Sequence, residues 1–220
     1  MSDSGMTATS RLYLFSSAIE RDAAFPDGIP GALLCGLTGV GLIDAAVETA
    51  RLCALHRPDE VVFLGTCGAH RESGLAIGDI VIASEVAIGS GDVARGWMRL
   101  PSLLVARLGT DAGLNARLRD RYADAGIEAR RATVSCTLGV TETDELAGSL
   151  NRYDRSDVEN LEAFSVLRAA GAIPAAVVLG VTNIVGAGGG ADWRANYRRM
   201  MSRVAGALTG DRIDGPSLES

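Results

Sequence analysis

Three carboxylates and an amide fall within six residues of one another: Asp157, Glu159, Asn160 and Glu162. An ionised carboxylate only accepts hydrogen bonds and has room for several, so acids gathered in this way suit a ligand rich in hydroxyls. The stretch Asp157–Phe164 reads as the opening of a helix. A purely structural reading stands beside the functional one: Asp157 is the helix cap, and the acids are favoured there by the helix dipole. Gly171 and Pro174 lead on to the apolar run Ala175–Val181, a buried strand that ends on the polar pair Thr182-Asn183. Glu20 follows a first strand, Arg11–Ser16, just where open α/β sheets bind their ligands. It reads equally well as an exposed acid in the first turn of a helix.

The elements that must position these groups alternate between strand and helix. A turn marked by Pro26, Gly28 and Pro30 precedes a second strand, Gly31–Gly36. Leu37-Thr38-Gly39-Val40-Gly41 is a glycine-rich turn before a helix whose apolar positions, Ile43, Ala46, Ala50 and Cys53, recur at helical spacing. G-x-G alone is a weak dinucleotide signal, and it reads as a tight turn that lets the helix pack closely on the sheet. Val61–Leu64 is a strand running into Gly65-Thr66-Cys67-Gly68-Ala69, where small residues let backbone N–H groups approach a ligand. A tight turn between packed strands explains the same residues. Ile80–Val86 and Ala132–Leu138 read as strands and Leu114–Ala125 as a helix with Leu114, Leu118 and Tyr122 on one face. A further helix is capped by Thr143 or Asp144. Residues 88–102 are irregular and suit a lid or a subunit contact. After Asn183 a flexible glycine loop, 186–191, leads to a last helix capped by Asp192. That helix carries Trp193, Tyr197, Met200, Met201, Val204 and Leu208 as a core stripe, of which Trp193 alone is placed to reach a pocket.

At 220 residues the chain is long enough for one α/β domain with a full core. Hydrophobic residues make up 47% and charged residues 22%, which argues against disorder. The net charge of −6, with no basic run interleaved with aromatics, makes nucleic acid a poor partner. Cys35, Cys53, Cys67 and Cys136 have no C-x-x-C spacing, and His56 and His70 are the only histidines. No metal or other cofactor is therefore expected, and the thiols read as buried and reduced, as in a cytoplasm. The N-terminus lacks the pattern of a signal peptide. Ala169–Ala191 is uncharged and long enough to span a bilayer at roughly 20 residues, but Pro174, Asn183 and its glycines mark a buried strand flanked by loops. No membrane span is expected.

In order and spacing these segments resemble the nucleoside phosphorylase/nucleosidase superfamily over residues 11–208, with 1–10 and 210–220 as loose tails. The resemblance rests on Leu37–Gly41, Gly65–Ala69, Ile77–Val81, Val158–Ala163, and Ile173-Pro174 leading to Val181–Asn183. It is similar above all to futalosine hydrolases, through Val158-Glu159-Asn160-Leu161-Glu162-Ala163, Thr182-Asn183-Ile184-Val185 and the Trp193 that follows. The fold this implies is a single-domain, three-layer α/β/α arrangement around a central mixed twisted sheet.

The resemblance also implies roles. Glu162 would accept hydrogen bonds from ribose hydroxyls, Leu161 would pack on the sugar, and Glu159 and Asn160 would support the ribose site. Thr66, with the backbone at Cys67 and Gly68, would face the nucleophile side of the sugar. Glu20 would hold and polarise the attacking water. Asn183 would bind the purine edge, and the main chain at Val140 and Thr141 would complete the base pocket. The implied reaction is hydrolysis of a purine N-glycosidic bond, with futalosine giving hypoxanthine and dehypoxanthine futalosine in menaquinone biosynthesis. The implied protein is a cytoplasmic homo-oligomer whose partner is a small purine nucleoside.

Charge builds up positive on the sugar and negative on the base as that bond breaks, so anions near the sugar and a donor at the base assist. Phosphorylases of the superfamily carry an Arg where this chain has Phe63, which favours water over phosphate as nucleophile. Methylthioadenosine/S-adenosylhomocysteine nucleosidases carry Ser-Asp where this chain has Thr182-Asn183; Asn183 can donate a hydrogen bond but cannot deliver a proton. Leu179 stands where many relatives have Arg, and Gly188-Gly189-Gly190 replaces a more polar stretch. Two alternatives therefore stand: a methylthioadenosine/S-adenosylhomocysteine nucleosidase, or a degenerate member that binds nucleosides without cleaving them.

Overall fold

The computed structural model describes residues 9–31 and 33–209. The expected tails, save residues 9 and 10, lie outside these. Ser10 is not loose: its N–H donates to Asp59 and its carbonyl accepts from the N–H groups of Asp59 and Glu60.

Among the described residues the strands are β1 (Arg11–Phe15), β2 (Leu34–Leu37), β3 (Glu60–Ala69), β4 (Ile80–Ile88), β5 (Arg107–Gly109), β6 (Ala129–Cys136), β7 (Val158–Asn160) and β8 (Ala175–Ile184). The helices are α1 (Ala18–Ala24), α2 (Leu42–His56), α3 (Gly91–Ala94), α4 (Ala112–Asp124), α5 (Asp144–Asp154), α6 (Ala163–Ala170) and α7 (Gly189–Thr209). The sheet is mixed and runs β2-β1-β3-β7-β6-β4-β5, with β8 paired to both β3 and β4. Five strands thus close on themselves, β3 to β8 to β4 to β6 to β7 and back to β3.

Both faces of the central strands are buried, and alternate residues serve alternate sides. Val61 and Phe63 of β3, with Val177 and Leu179 of β8, pack with α2 and α6. Val62 and Leu64, with Ala176 and Val178, pack with α1, α4 and α7. This explains why β3 and β8 read as continuous apolar runs rather than alternating ones. Leu114, Leu118 and Tyr122 form the fully buried stripe of α4, as their spacing requires.

Several local expectations are corrected. The stretch from Val158 to Asn160 is a strand, not the start of a helix; α6 begins at Ala163 with Glu162 at its cap position. Asp157 does not cap that helix. Its carboxylate accepts from Thr133 N at 2.7 Å, within β6. Gly65–Ala69 is the second half of β3, paired with β8 through a register shift at Cys67/Gly68, instead of a turn. The buried face of α2 is Ala45, Thr49, Leu52 and Cys53, and Ile43 is 75% exposed. Gly189 and Gly190 belong to α7, so Asp192 lies within its first turn instead of capping it. Thr143, the first of two candidates, caps α5 by accepting from Leu146 N at 3.3 Å. No helix among the described residues is long and apolar enough to cross a membrane.

Candidate functional site

Glu20 is held at both ends by consecutive serines. Ser17 caps α1 and accepts from the Glu20 backbone N–H at 3.3 Å. Ser16 donates its hydroxyl to Glu20 Oε2 at 2.5 Å. From β3, Thr66 donates twice to Glu20 Oε1, through its N–H at 3.1 Å and its hydroxyl at 2.7 Å. The carboxylate is 5% exposed, far from the solvent-facing acid that the alternative reading required. Burial raises its pKa, and the Ser16 and Thr66 donors partly offset this by favouring the charged form. Trp193 Nε1 donates to Thr66 Oγ1 at 3.0 Å, which ties the start of α7 to the same cluster.

The acidic stretch after β6 reaches the same place from the other side. Asn160 donates from Nδ2 to the Thr66 carbonyl at 3.1 Å and accepts at Oδ1 from the N–H groups of Glu162 and Ala163, each at 2.8 Å. A hydrogen-bonded chain therefore runs Glu20, Thr66, Asn160, Glu162. Residues 20 and 162, far apart in sequence, lie close enough for the charge of one to act on the other. Glu162 does not cap its own helix; its Oε1 accepts from Gly41 N at 2.9 Å. Gly41 has φ of 87°, a left-handed conformation that favours glycine, and this aims its N–H at the acid. Burial and the nearby charge of Glu20 push the Glu162 pKa up to about 7, while the Gly41 N–H works in the opposite direction.

Glu159 faces another segment. Its two oxygens accept from Thr141 N at 3.0 Å and Thr141 Oγ1 at 2.5 Å, so it clamps the backbone next to Val140, whose side chain is exposed. Burial raises its pKa, and the two Thr141 donors counteract this. Leu161 is partly exposed between the two groups of acids.

Asn183, the next-to-last residue of β8, is half-buried, with Nδ2 donating to the Ile184 carbonyl at 3.2 Å and Oδ1 lying 2.9 Å from Thr182 Oγ1. A side chain at Gly68 would collide with it, since a Cβ there would stand 2.7 Å from Asn183 Nδ2. Gly189 abuts the same amide, at 3.0 Å by the same measure, which accounts for part of the glycine run. The segment after Asn183 is pinned from outside by Asp144, which accepts from Ala187 N at 3.0 Å and pairs with Arg71.

Cys67 contributes backbone alone, since its thiol turns into the core beside the Gly180 carbonyl and burial raises its pKa. Phe63 and Leu179 are fully buried in the same core cluster. Two participants escaped the sequence reading: Ser16, signalled only by the Ser-Ser pair before Glu20, and the Gly41 N–H, which had read as a packing turn. Among the described residues no group of three or more His, Cys, Asp or Glu is arranged to hold a metal ion.

The phosphorylase superfamily model matches residues 31–210. No curated protein sequence matches the chain. Among solved structures, a futalosine hydrolase mutant of Helicobacter pylori is similar with a TM-score of 0.81 at 14% identity, covering 92% of this chain and 97% of that one. A mutant methylthioadenosine nucleosidase of the same organism, with 5'-methylthioadenosine in its active site, gives 0.82 at 13% identity over 93% and 98%. The 5'-methylthioadenosine/S-adenosylhomocysteine nucleosidase of Neisseria meningitidis, in complex with methylthio-immucillin-A, gives 0.77 at 16% identity over 90% and 96%.

Proposed function

This chain belongs to the phosphorylase superfamily, and we propose that it is a purine nucleosidase that uses water to cut the N-glycosidic bond, with futalosine as substrate and hypoxanthine as the released base. The observation that carries this reading is the hydrogen-bonded chain from Glu20 through Thr66 and Asn160 to Glu162. In this reading the two buried carboxylates flank the space where positive charge develops on a sugar as its bond to the base breaks.

In the proposed reaction Glu162 accepts from ribose hydroxyls, with Leu161 against the sugar. Thr66 and the backbone of Cys67 and Gly68 line the face from which water attacks. Glu20 polarises that water and takes its proton. Asn183 offers the second hydrogen of its amide to the purine edge, and the main chain at Val140 and Thr141, held by Glu159, completes the base pocket. Trp193 borders the sugar from α7. Phe63 is buried in the core and supplies no cation for a phosphate dianion, which supports water as nucleophile.

The likeness to methylthioadenosine nucleosidases favours a second substrate. Asn183 counts against it, because an amide cannot protonate a departing adenine. A panel of futalosine, methylthioadenosine, adenosylhomocysteine and inosine, assayed for free base with and without phosphate, tests the reading. Hypoxanthine released from futalosine without phosphate is the expected result. Cleavage that needs phosphate overturns the hydrolase, adenine from methylthioadenosine alone favours the second substrate, and binding without release favours a degenerate member.

The same proposal includes self-association and a cytoplasmic location. Ile43, Val47 and Leu55 on α2, and Trp97, Met98 and Leu103 in the irregular segment after α3, are each more than half exposed. Apolar surface of this kind marks a contact with a partner, and light scattering after gel filtration should give a mass above one chain. A single-chain mass would remove this part. Four free thiols suit a reducing compartment, and fractionation of cells tests the location.

A further inference from the structure

A carboxylate offers about four lone-pair positions, two on each oxygen. Oε1 of Glu20 has both filled, by the N–H and the hydroxyl of Thr66. Oε2 has one filled, by Ser16. The open position is therefore on Oε2, beside the Ser16 hydroxyl. The donors also differ in whether they can reverse. A backbone N–H cannot accept. The Thr66 hydroxyl already accepts from Trp193 Nε1, itself a donor only, and so directs its one proton to Glu20. Ser16 is free to turn its proton away and accept one.

We infer that Ser16 is a positioning residue for the proposed hydrolysis: it fixes the Glu20 carboxylate so that water docks on Oε2, then turns from donor to acceptor when Oε2 is protonated. The inference rests on the nucleosidase reading. In the step itself the water oxygen bonds to the anomeric carbon, and the bond from that carbon to the base nitrogen breaks with its electron pair left on the base. The water's proton moves to Glu20 Oε2. Glu20 later returns that proton to solvent and the base takes one up, so one water is consumed. Ser16 lies at the end of β1 and 8% exposed, with Ser17 holding the backbone of the same glutamate, so the grip on Glu20 comes from two adjacent residues.

The titratable groups facing Glu20 are Glu162 from the β7–α6 side and Cys67 from β3, both electrically coupled to it, and α7 presents the uncharged Trp193. A Ser16→Ala change leaves these in place. It should lower kcat about 10- to 100-fold with KM within about twofold, and it should move the acid limb of the kcat–pH profile upward, because a donor to the charged carboxylate is lost. Ser16→Thr keeps the hydroxyl and should restore kcat to within about threefold. Ser16→Cys keeps the shape with a poor donor and should behave like Ser16→Ala, which guards against a folding defect.

A readout independent of turnover is the carbon-13 titration of the Glu20 carboxyl in ligand-free protein, assigned with Glu20→Gln. It should rise in Ser16→Ala and not in Ser16→Thr. Unchanged titration overturns the assignment whether or not the protein cleaves a nucleoside. A wild type that cleaves nothing overturns the nucleosidase reading, and the titration then decides the grip of Ser16 by itself. Active wild type with an unaltered kcat and pH profile in Ser16→Ala overturns the inference and leaves the nucleosidase standing.

Discussion

Glu20 and Glu162 are both buried acids, coupled by their charge, yet they are held in different ways. Glu20 receives three hydrogen bonds, one from Ser16 just after β1 and two from Thr66 within β3. Glu162 accepts from one other segment, through the Gly41 N–H, and is the acid whose pKa is pushed to about 7. A carboxylate with its donors already in place is organised before any ligand arrives. A buried carboxylate whose pKa stays raised in spite of its donors carries an unmet desolvation cost, which hydroxyl donors from a ligand would relieve. Under the proposed function, the difference separates a group built to act from a group built to bind.

The largest effect expected from this contrast is on turnover. Glu20→Gln keeps the size of the side chain but removes the base. It should lower kcat by about 10³-fold with KM little changed, read by base release under saturating substrate. Near-native turnover would remove Glu20 from the chemistry and erase the distinction between the two acids.

Glu162→Gln should act on binding and on stability. KM should rise by about 10- to 100-fold, more than kcat falls. In wild type, KM should climb roughly tenfold per pH unit below about pH 7, as Glu162 takes up a proton and ceases to accept from hydroxyls. The ligand-free protein provides the sign check. The folded pKa lies above the ordinary value of 4.5, so the folded state holds the proton more tightly. Stability should therefore fall as pH rises from about 4.5 to 7, by ~3 kcal/mol for this one group. Glu162→Gln should flatten that fall in urea melts at pH 5 and pH 8. An unchanged slope would show that the acid is not held neutral.

Trp193→Phe carries the smallest expected effect. It removes the donor that fixes the direction of the Thr66 hydroxyl, while the three bonds to Glu20 remain. A loss of about 3- to 10-fold in kcat is expected, with KM nearly constant. A rise in KM instead, with kcat intact, would mean that Trp193 contacts the substrate and does not act on Glu20 through Thr66.

Legibility in the sequence followed the range of the interactions. The stripe Leu114, Leu118, Tyr122 and the cap of α5, read as Thr143 or Asp144 and found at Thr143, depend on neighbours three or four residues away, and both were readable. So were the apolar runs of β3 and β8, since burial on two faces leaves no polar alternation. The stretch from Val158 to Asn160 misread as helix because acids near Phe164 imitate a helix start. Its strand form comes from pairing with Ala69, Gly68 and the end of β6. The face of α2 misread because Ile43 and Ala50, apolar by type, point outward, and periodicity cannot distinguish a core face from an exposed apolar one.

Residue types by themselves determined the chemistry on offer: carboxylates at 20, 159 and 162, an amide at 183, a hydroxyl at 66, and no cation at 63. They also determined that the β3 and β8 segments would be buried, because apolar side chains leave water wherever the chain lets them. Tertiary structure alone decided that Glu20 meets Thr66, that Asn160 joins Thr66 to Glu162, and that Gly41 is a donor to Glu162. Those bonds link residues on different strands and loops. Hydrogen bonds act over about 3 Å, and only folding brings such distant atoms that close.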